Sequence, residues 1–165
     1  MIGYRLPTTI PRKDKGGFIG VCPSEMFEAG DDVHAVIETN RGHSLGKVIL
    51  QGPAEPDSGI PGEIGGFTIE RVLRTLKRGT FRAINSIGDH VTKGTVVAVV
   101  DDFPVMAQVT GTVRGLLRDG THVQKGLKVG DIDPRGKKGN CFTVSEKARA
   151  IGGGVLEAIL NRFNE

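Results

Sequence analysis

The sequence predicts a mainly β fold with a C-terminal α-helix and a smaller α+β region near the N-terminus. Three observations predict it. Residues 79–101 return as residues 111–133, 32 positions later, with ten of 23 paired residues identical. Gly79-Thr80-x-Arg82 reappears as Gly111-Thr112-x-Arg114, and Gly88-x-His90-Val91-x-Lys93-Gly94 reappears as Gly120-x-His122-Val123-x-Lys125-Gly126. A repeat of this size is one supersecondary unit used twice. Glycine supplies 25 of the 165 residues, which implies many tight turns and positive-φ positions and favours β structure over a helical bundle. Only near the C-terminus do apolar residues recur at helical spacing, at Ala148, Ile151, Val155, Leu156, Ile159 and Leu160.

In chain order, residues 1–17 hold two prolines and Arg5, Arg12, Lys13 and Lys15 without periodicity, and read as a basic tail. Residues 18–75 form a strand-and-loop region. Val33–Glu38 alternates and predicts a strand, as does Lys47–Leu50, with residues 39–46 as the turn between them. Residues 52–66 are a Gly/Pro-rich loop of 15 residues, and loops that long serve function or packing. Thr68–Arg74 fits either a short helix or a strand. Residues 76–136 contain the repeat, with strands running into and out of each Gly-x-His-Val-x-Lys-Gly turn, and the alternating Val105–Val109 between the halves. Short strands with glycine corners predict a small sandwich or barrel. In residues 137–165, Asn140–Val144 predicts a last strand and Ser145 an N-cap, with Glu146 near the positive helix end. Gly152-Gly153-Gly154 lies inside the helical pattern, where each glycine costs about 1 kcal/mol against alanine.

Hydrophobic content of 38% and charged content of 25% belong to a globular chain. The net charge of +3 and isoelectric point near 9.0 demand neither nucleic acid nor a membrane as partner. The longest apolar run, Val96–Val100, is too short to span a bilayer, and the first residues lack a signal-peptide core, so the expected location is the cytoplasm. Cys22 and Cys141 have no metal-ligand spacing and read as reduced core thiols.

Arg41-Gly42-His43 is the best candidate site. Arginine offers a fork for carboxylate or phosphate-like oxyanions, the glycine lets backbone N–H groups approach, and the histidine adds a donor or proton relay. A solvated hairpin turn is the competing reading. His34, Glu38 and His43 lie near one another in sequence without forming a known catalytic arrangement. Gly59–Gly66 is not a dinucleotide motif and reads as a packed loop whose one ionisable residue is Glu63. Residues 134–139 form a basic loop around Arg135, suited to an acidic partner or anionic ligand, but without the interleaved aromatics of a nucleic-acid surface. His90 and His122 occupy equivalent turns, and two histidines without a third ligand make no metal site.

The repeat, with a Gly-x-x-Val-x-x-Gly corner in each half, resembles the biotinyl/lipoyl barrel-sandwich hybrid. Members that carry a cofactor attach it to a lysine on the hairpin between the halves, a position near Val100 by this resemblance. Residues 94–113 contain no lysine, so covalent biotin or lipoate is excluded while the fold is retained. Val36–Gly46, Gly59–Gly66, Gly126–Gly136 and Lys147–Ile159 together resemble the C-terminal two-thirds of the accessory (YqeB-type) family of the selenium-dependent molybdenum hydroxylase system. The resemblance covers about residues 30–160. It implies a maturation protein for a xanthine-dehydrogenase-like enzyme, more binding protein than catalyst, whose partners are the hydroxylase, its other maturation factors or a molybdenum cofactor intermediate. Fuller members begin with a Rossmann-like domain, of which this chain keeps only a degraded trace near Gly20–Ser24. Two alternatives follow: an enzyme for a phosphorylated or oxyanion substrate using Arg41, His43 and Glu63, and a structural subunit that pairs with a separate Rossmann-domain protein. A homo-oligomer stays open.

Overall fold

The computed structural model describes residues 19–21, 27–31 and 33–163. The predicted tail and Cys22 lie outside them. The described residues gather into two compact units, one of residues 60–143 and one of residues 19–59 with 144–163.

The second of these holds β1 (Ile19–Val21), β2 (Glu28–Ala29), β3 (Ala35–Ile37), β4 (Val48–Ile49), β5 (Gly52–Pro53) and α1 (Glu146–Phe163). β3 is its centre, parallel to β1 and antiparallel to β4, and β2 pairs with β5. The expected strands at 33–38 and 47–50 are therefore present, in shorter form, and the loop expected from residue 52 begins as a strand. Ser145 caps α1, its Oγ accepting from the Ala148 N–H at 3.2 Å. The helix runs unbroken through its three glycines. Ile151, Val155 and Ala158 pack on Ala35, Ile37 and Val48. Gly154 completes that face, because a Cβ there would collide with the Gly46 carbonyl. Leu156, Ile159 and Leu160, expected on the packed face, are exposed. The helix is rotated so that Ile151, Gly154, Val155 and Ala158 form the packed face while Leu156, Ile159 and Leu160 face away.

The unit of residues 60–143 holds β6 (Val72–Arg74), β7 (Gly79–Ala83), β8 (His90–Val91), β9 (Val96–Val100), β10 (Phe103–Met106), β11 (Gly111–Leu116), β12 (His122–Val123) and β13 (Lys128–Asp133). They form two open four-stranded sheets, β10-β9-β7-β12 and β6-β13-β11-β8, and no closed barrel among the described residues. Adding 32 to the residue numbers of β6–β9 gives their counterparts β10–β13, each of which lies in the other sheet. The halves exchange strands: β8 of the first pairs with β11 of the second, and β12 of the second with β7 of the first. The hydrogen bonds repeat as well. Gly94 N donates to Ala107 O and Gly126 N to Thr75 O, both at 2.8 Å. Phe81, Val97, Val113, Val129 and Ile132 are fully buried between the strands, with Leu73 beside them. Of residues 68–74, open to helix or strand in the sequence, 68–71 form a bend and turn and 72–74 form β6. The expected strand at 140–144 is absent; a 3₁₀ turn, Lys138–Cys141, stands at its start. Cys141 is only half-buried, its thiol 3.6 Å from the Val113 carbonyl.

Candidate functional site

The link from β3 to β4 is built on Glu38. Its backbone N–H donates to Lys47 O at 3.0 Å and its carbonyl accepts from Gly46 N at 2.9 Å, closing the loop at its base. Its buried carboxylate accepts from Asn40 N at 2.7 Å and Glu55 N at 2.9 Å, so one side chain fixes two loops. Asn40 Nδ2 adds a bond to Glu55 Oε2 at 2.6 Å. Gly46, at φ +85°, lies under Ala150 of α1, where no side chain fits. Glu38 is thus a structural anchor rather than an acid open to solvent.

That frame carries Arg41, Gly42 and His43 outward, all three exposed. Gly42 has φ +145° and open space around it, so the residue there is set by backbone conformation, not crowding. Arg41 Nη1 bonds Glu146 Oε1 at 2.5 Å, with the two side chains 39% and 61% exposed. An ion pair so open to water contributes about 1 kcal/mol at most, and its arginine can exchange partners. Lys147 follows Glu146 and is half-buried. Burial, and then the Arg41 charge, hold its amine below the ordinary lysine range, while Glu38 and Asp57 pull the other way without prevailing. Thr39, beside them, keeps its Oγ1 buried without a hydrogen-bond partner among the described residues. The start of α1 therefore gathers two cations at the positive end of the helix dipole, a combination that suits an anion.

Sequence reasoning singled out Arg41 and His43 but gave Lys147 no role. The signal was available: a lysine in a helix's first turn opposes the dipole. Its approach to Arg41 is tertiary and carried no local mark.

Glu63 and Arg135 belong to the other unit. Glu63 is exposed on the 59–66 loop. Arg71, a residue the sequence reading passed over, pins that loop. Its buried guanidinium donates through Nη2 to the Gly62 carbonyl at 2.8 Å and through Nη1 to both Asp131 carboxylate oxygens, at 2.7 and 2.9 Å. Gly65 lies against Pro134, so the Glu63 and Arg135 loops are neighbours. The Arg135 fork is turned inward: Nε and Nη2 bind the Asp133 carboxylate at 2.9 and 2.7 Å. Arg114 Nη1 joins at 3.1 Å. Burial alone pushes the Asp133 carboxyl up, but hydrogen bonds from Arg135 and the charges of both arginines overcome it and hold the group below the usual aspartate range. His90 and His122 are exposed on β8 and β12, which lie in different sheets. A cavity of about 340 Å³ elsewhere in this unit is lined by Glu70, Lys93, Gly94, Met106, Ala107 and Gln108. No described helix is long and apolar enough to cross a membrane.

Compared with models of protein families, the chain matches none. Among solved structures, an aspartoacylase family protein from Mesorhizobium loti shares 25% identity over 38% of this chain and 22% of its own, with a TM-score of 0.36, too slight a likeness to argue from. Uncharacterized protein YqeB of Escherichia coli strain K12 is 53% identical over 134 residues, which cover 81% of this chain and 25% of that protein. The chain thus spans a quarter of this relative, not the two-thirds expected from sequence. Identity at that level over most of its length supports placing the chain in a YqeB-type family.

Proposed function

We propose that this protein is an accessory factor for the maturation of a selenium-dependent, xanthine-dehydrogenase-like molybdenum hydroxylase, and that it acts by binding. The similarity to YqeB and the stretches at 126–136 and 147–159, which resemble that accessory family, support the system. The observation that carries a binding role is the pair of cations, Arg41 and Lys147, at the N-terminal end of α1. Arg41 gives up Glu146 for a stronger anionic partner, and an anion that neutralises Arg41 relieves one of the two influences that hold the Lys147 amine below the ordinary lysine range. An anionic cofactor intermediate or an acidic segment of a partner enzyme fits this donor set.

The unit of residues 60–143 is read as a lysine-free barrel-sandwich module that serves as scaffold. The exchange of strands between its halves supports that reading. The hairpin between β9 and β10, where a carrier would hold its lysine, turns at Asp101-Asp102.

The test is affinity capture from the native cell, with protein identification and elemental analysis for molybdenum and selenium. The expected result is co-purification of the hydroxylase or a maturation factor, lost in the Arg41→Ala/Lys147→Ala variant. Deletion of the gene with hydroxylase activity and molybdenum content unchanged overturns the proposal. Capture of a Rossmann-domain protein without the hydroxylase points instead to the structural-subunit reading. Turnover of a phosphorylated substrate, abolished by His43→Ala in a folded protein, points to the enzyme.

A further inference from the structure

We propose that the outward face of α1 is a self-association surface, on which a second copy of this chain packs its own α1 antiparallel about a twofold axis. This inference is independent of the proposed function. The helix packs Ile151, Gly154, Val155 and Ala158 inward, and its outward face still carries Leu156, Ile159, Leu160 and Phe163, exposed by 57%, 40%, 45% and 67%. Single exposed apolar residues are ordinary, but four on one stripe of one helix are not. Gly152, Leu156, Ile159 and Phe163 follow the 4-3-4 spacing of a two-helix seam.

Gly152 and Gly153 supply the second observation. Packing accounts for Gly154, but a Cβ at Gly152 or Gly153 would meet nothing within 4 Å among the described residues. Among the described residues nothing compensates the helix for these two glycines. A partner helix supplies a contact at Gly152, the glycine on the seam, since side-chain size at the contact sets how closely two helices approach.

The occupant follows from the order of residues along the seam. A twofold axis between Leu156 and Ile159 sets each residue opposite the one whose number sums with it to 315. Leu156 then meets the partner's Ile159, and Phe163 falls into the hollow at Gly152. Phe163 and Gly152 lie roughly 16 Å apart on one helix, at 1.5 Å per residue. The surface is therefore complementary to itself in this one orientation. A parallel pair would set hollow against hollow and Phe163 against Phe163. Charge agrees with shape. Arg149 lies on the same face one turn before Gly152 and keeps its Nη1 on the Val144 carbonyl at 2.9 Å; the twofold sets its position about one turn beyond the carbonyl end of the partner helix, where the dipole is negative. A single helix pair buries less than roughly 1,200 Å² in total, so the dimer is weak and reversible.

Sedimentation velocity of the full chain, over loading concentrations from about 5 to 500 µM, tests this in the range expected of a small interface. The wild type is expected to shift from monomer to dimer with concentration. Leu156→Glu, on an exposed position, is expected to remain monomeric with an unchanged circular dichroism spectrum. Gly152→Phe and Phe163→Gly are each expected to weaken the dimer at least tenfold, and the double variant to restore it, because the swap preserves one large residue opposite one small. A wild type that stays monomeric throughout overturns the proposal. So does a dimer that survives Leu156→Glu, or a double variant no better than either single one.

Discussion

Asp101 and Asp133 hold the same place in the two halves of the repeat and differ in nearly everything else. Asp101 is exposed at a turn with φ 50°, its carboxylate accepting from Thr80 N at 3.0 Å. Asp133 has no exposed side chain and is held by Arg114 and Arg135. The sequence identity announced the shared position; the difference in burial depended on which neighbours carried guanidinium groups, and nothing local marked it. Asp133→Asn is expected to destabilise the fold by about 3 kcal/mol, because it leaves two arginines beside a neutral group. The pH dependence has a definite sign. The folded Asp133 sits below the ordinary aspartate pKa of about 3.9, so its contribution is complete at neutral pH. That contribution fades as pH falls past the unfolded value and is lost through the folded one. Urea denaturation at pH 7 and in acid checks this: the gap between wild type and Asp133→Asn should narrow as pH drops. A gap that stays constant would show that the carboxylate charge is not what matters. Thr39 offers the opposite experiment. Its buried hydroxyl lacks a partner among the described residues, and such a group costs about 1–3 kcal/mol. Thr39→Val keeps the shape and removes the orphan, so it should raise the urea midpoint. A lower midpoint would mean that the hydroxyl makes a bond in solution, and an ordered water is the first candidate.

At the scale of elements, α1 was legible from Ser145 onward because cap and periodicity are local signals. Its orientation was not, because the same apolar pattern fits two rotations. The choice fell to Gly154, which lets the helix approach the Gly46 turn so closely that no Cβ can intervene. Adjacent identical residues should therefore answer one substitution with opposite signs. Gly154→Ala forces the helix off the loop and should destabilise by about 2 kcal/mol or more. Gly153→Ala adds a methyl group to open space and should stabilise by up to about 1 kcal/mol. Thermal melts monitored by circular dichroism separate the two, and equal effects would refute the close approach. The strand expected at 140–144 failed for a related reason. Alternation over five residues does not distinguish a strand from a 3₁₀ turn followed by extended chain, and the exposed Phe142 and Val144 find no sheet to join. β6 erred in the other direction. It is the counterpart of β10, 32 residues earlier, yet Val72-Leu73-Arg74 and Pro104-Val105-Met106 share no residue. Backbone hydrogen bonds keep the repeat there after the side chains have lost it.

On the scale of the whole molecule, the visible repeat of 79–101 and 111–133 understates a symmetry that begins at β6. Extending it that far changes which piece of the chain stands alone. Among the described residues, all strand partners of β6 through β13 lie between residues 60 and 143. The buried cluster built on Phe81, Val97, Val113, Val129 and Ile132 draws on the same interval. The anchor of the 59–66 loop, Arg71 with Gly62 and Asp131, is inside it too. A fragment of residues 60–143 should therefore fold without the rest, with a β-type circular dichroism spectrum and a cooperative thermal transition. A fragment cut at residue 76, where the sequence repeat begins, loses β6, exposes one edge of β13 and removes Leu73 from the core and Arg71 from Asp131. It should be less stable by several kcal/mol or fail to fold, given that losing a large buried aliphatic side chain costs about 2–5 kcal/mol by itself. Residues 19–59 alone should not fold, because Ala35 and Ile37 would lose the Ala158 face of α1 that buries them. If the 60–143 and 76–143 fragments melt alike, β6 is an appendage and the symmetry has no energetic meaning. If only the longer one melts cooperatively, the unit that folds is the one defined by hydrogen bonds rather than by residue identity.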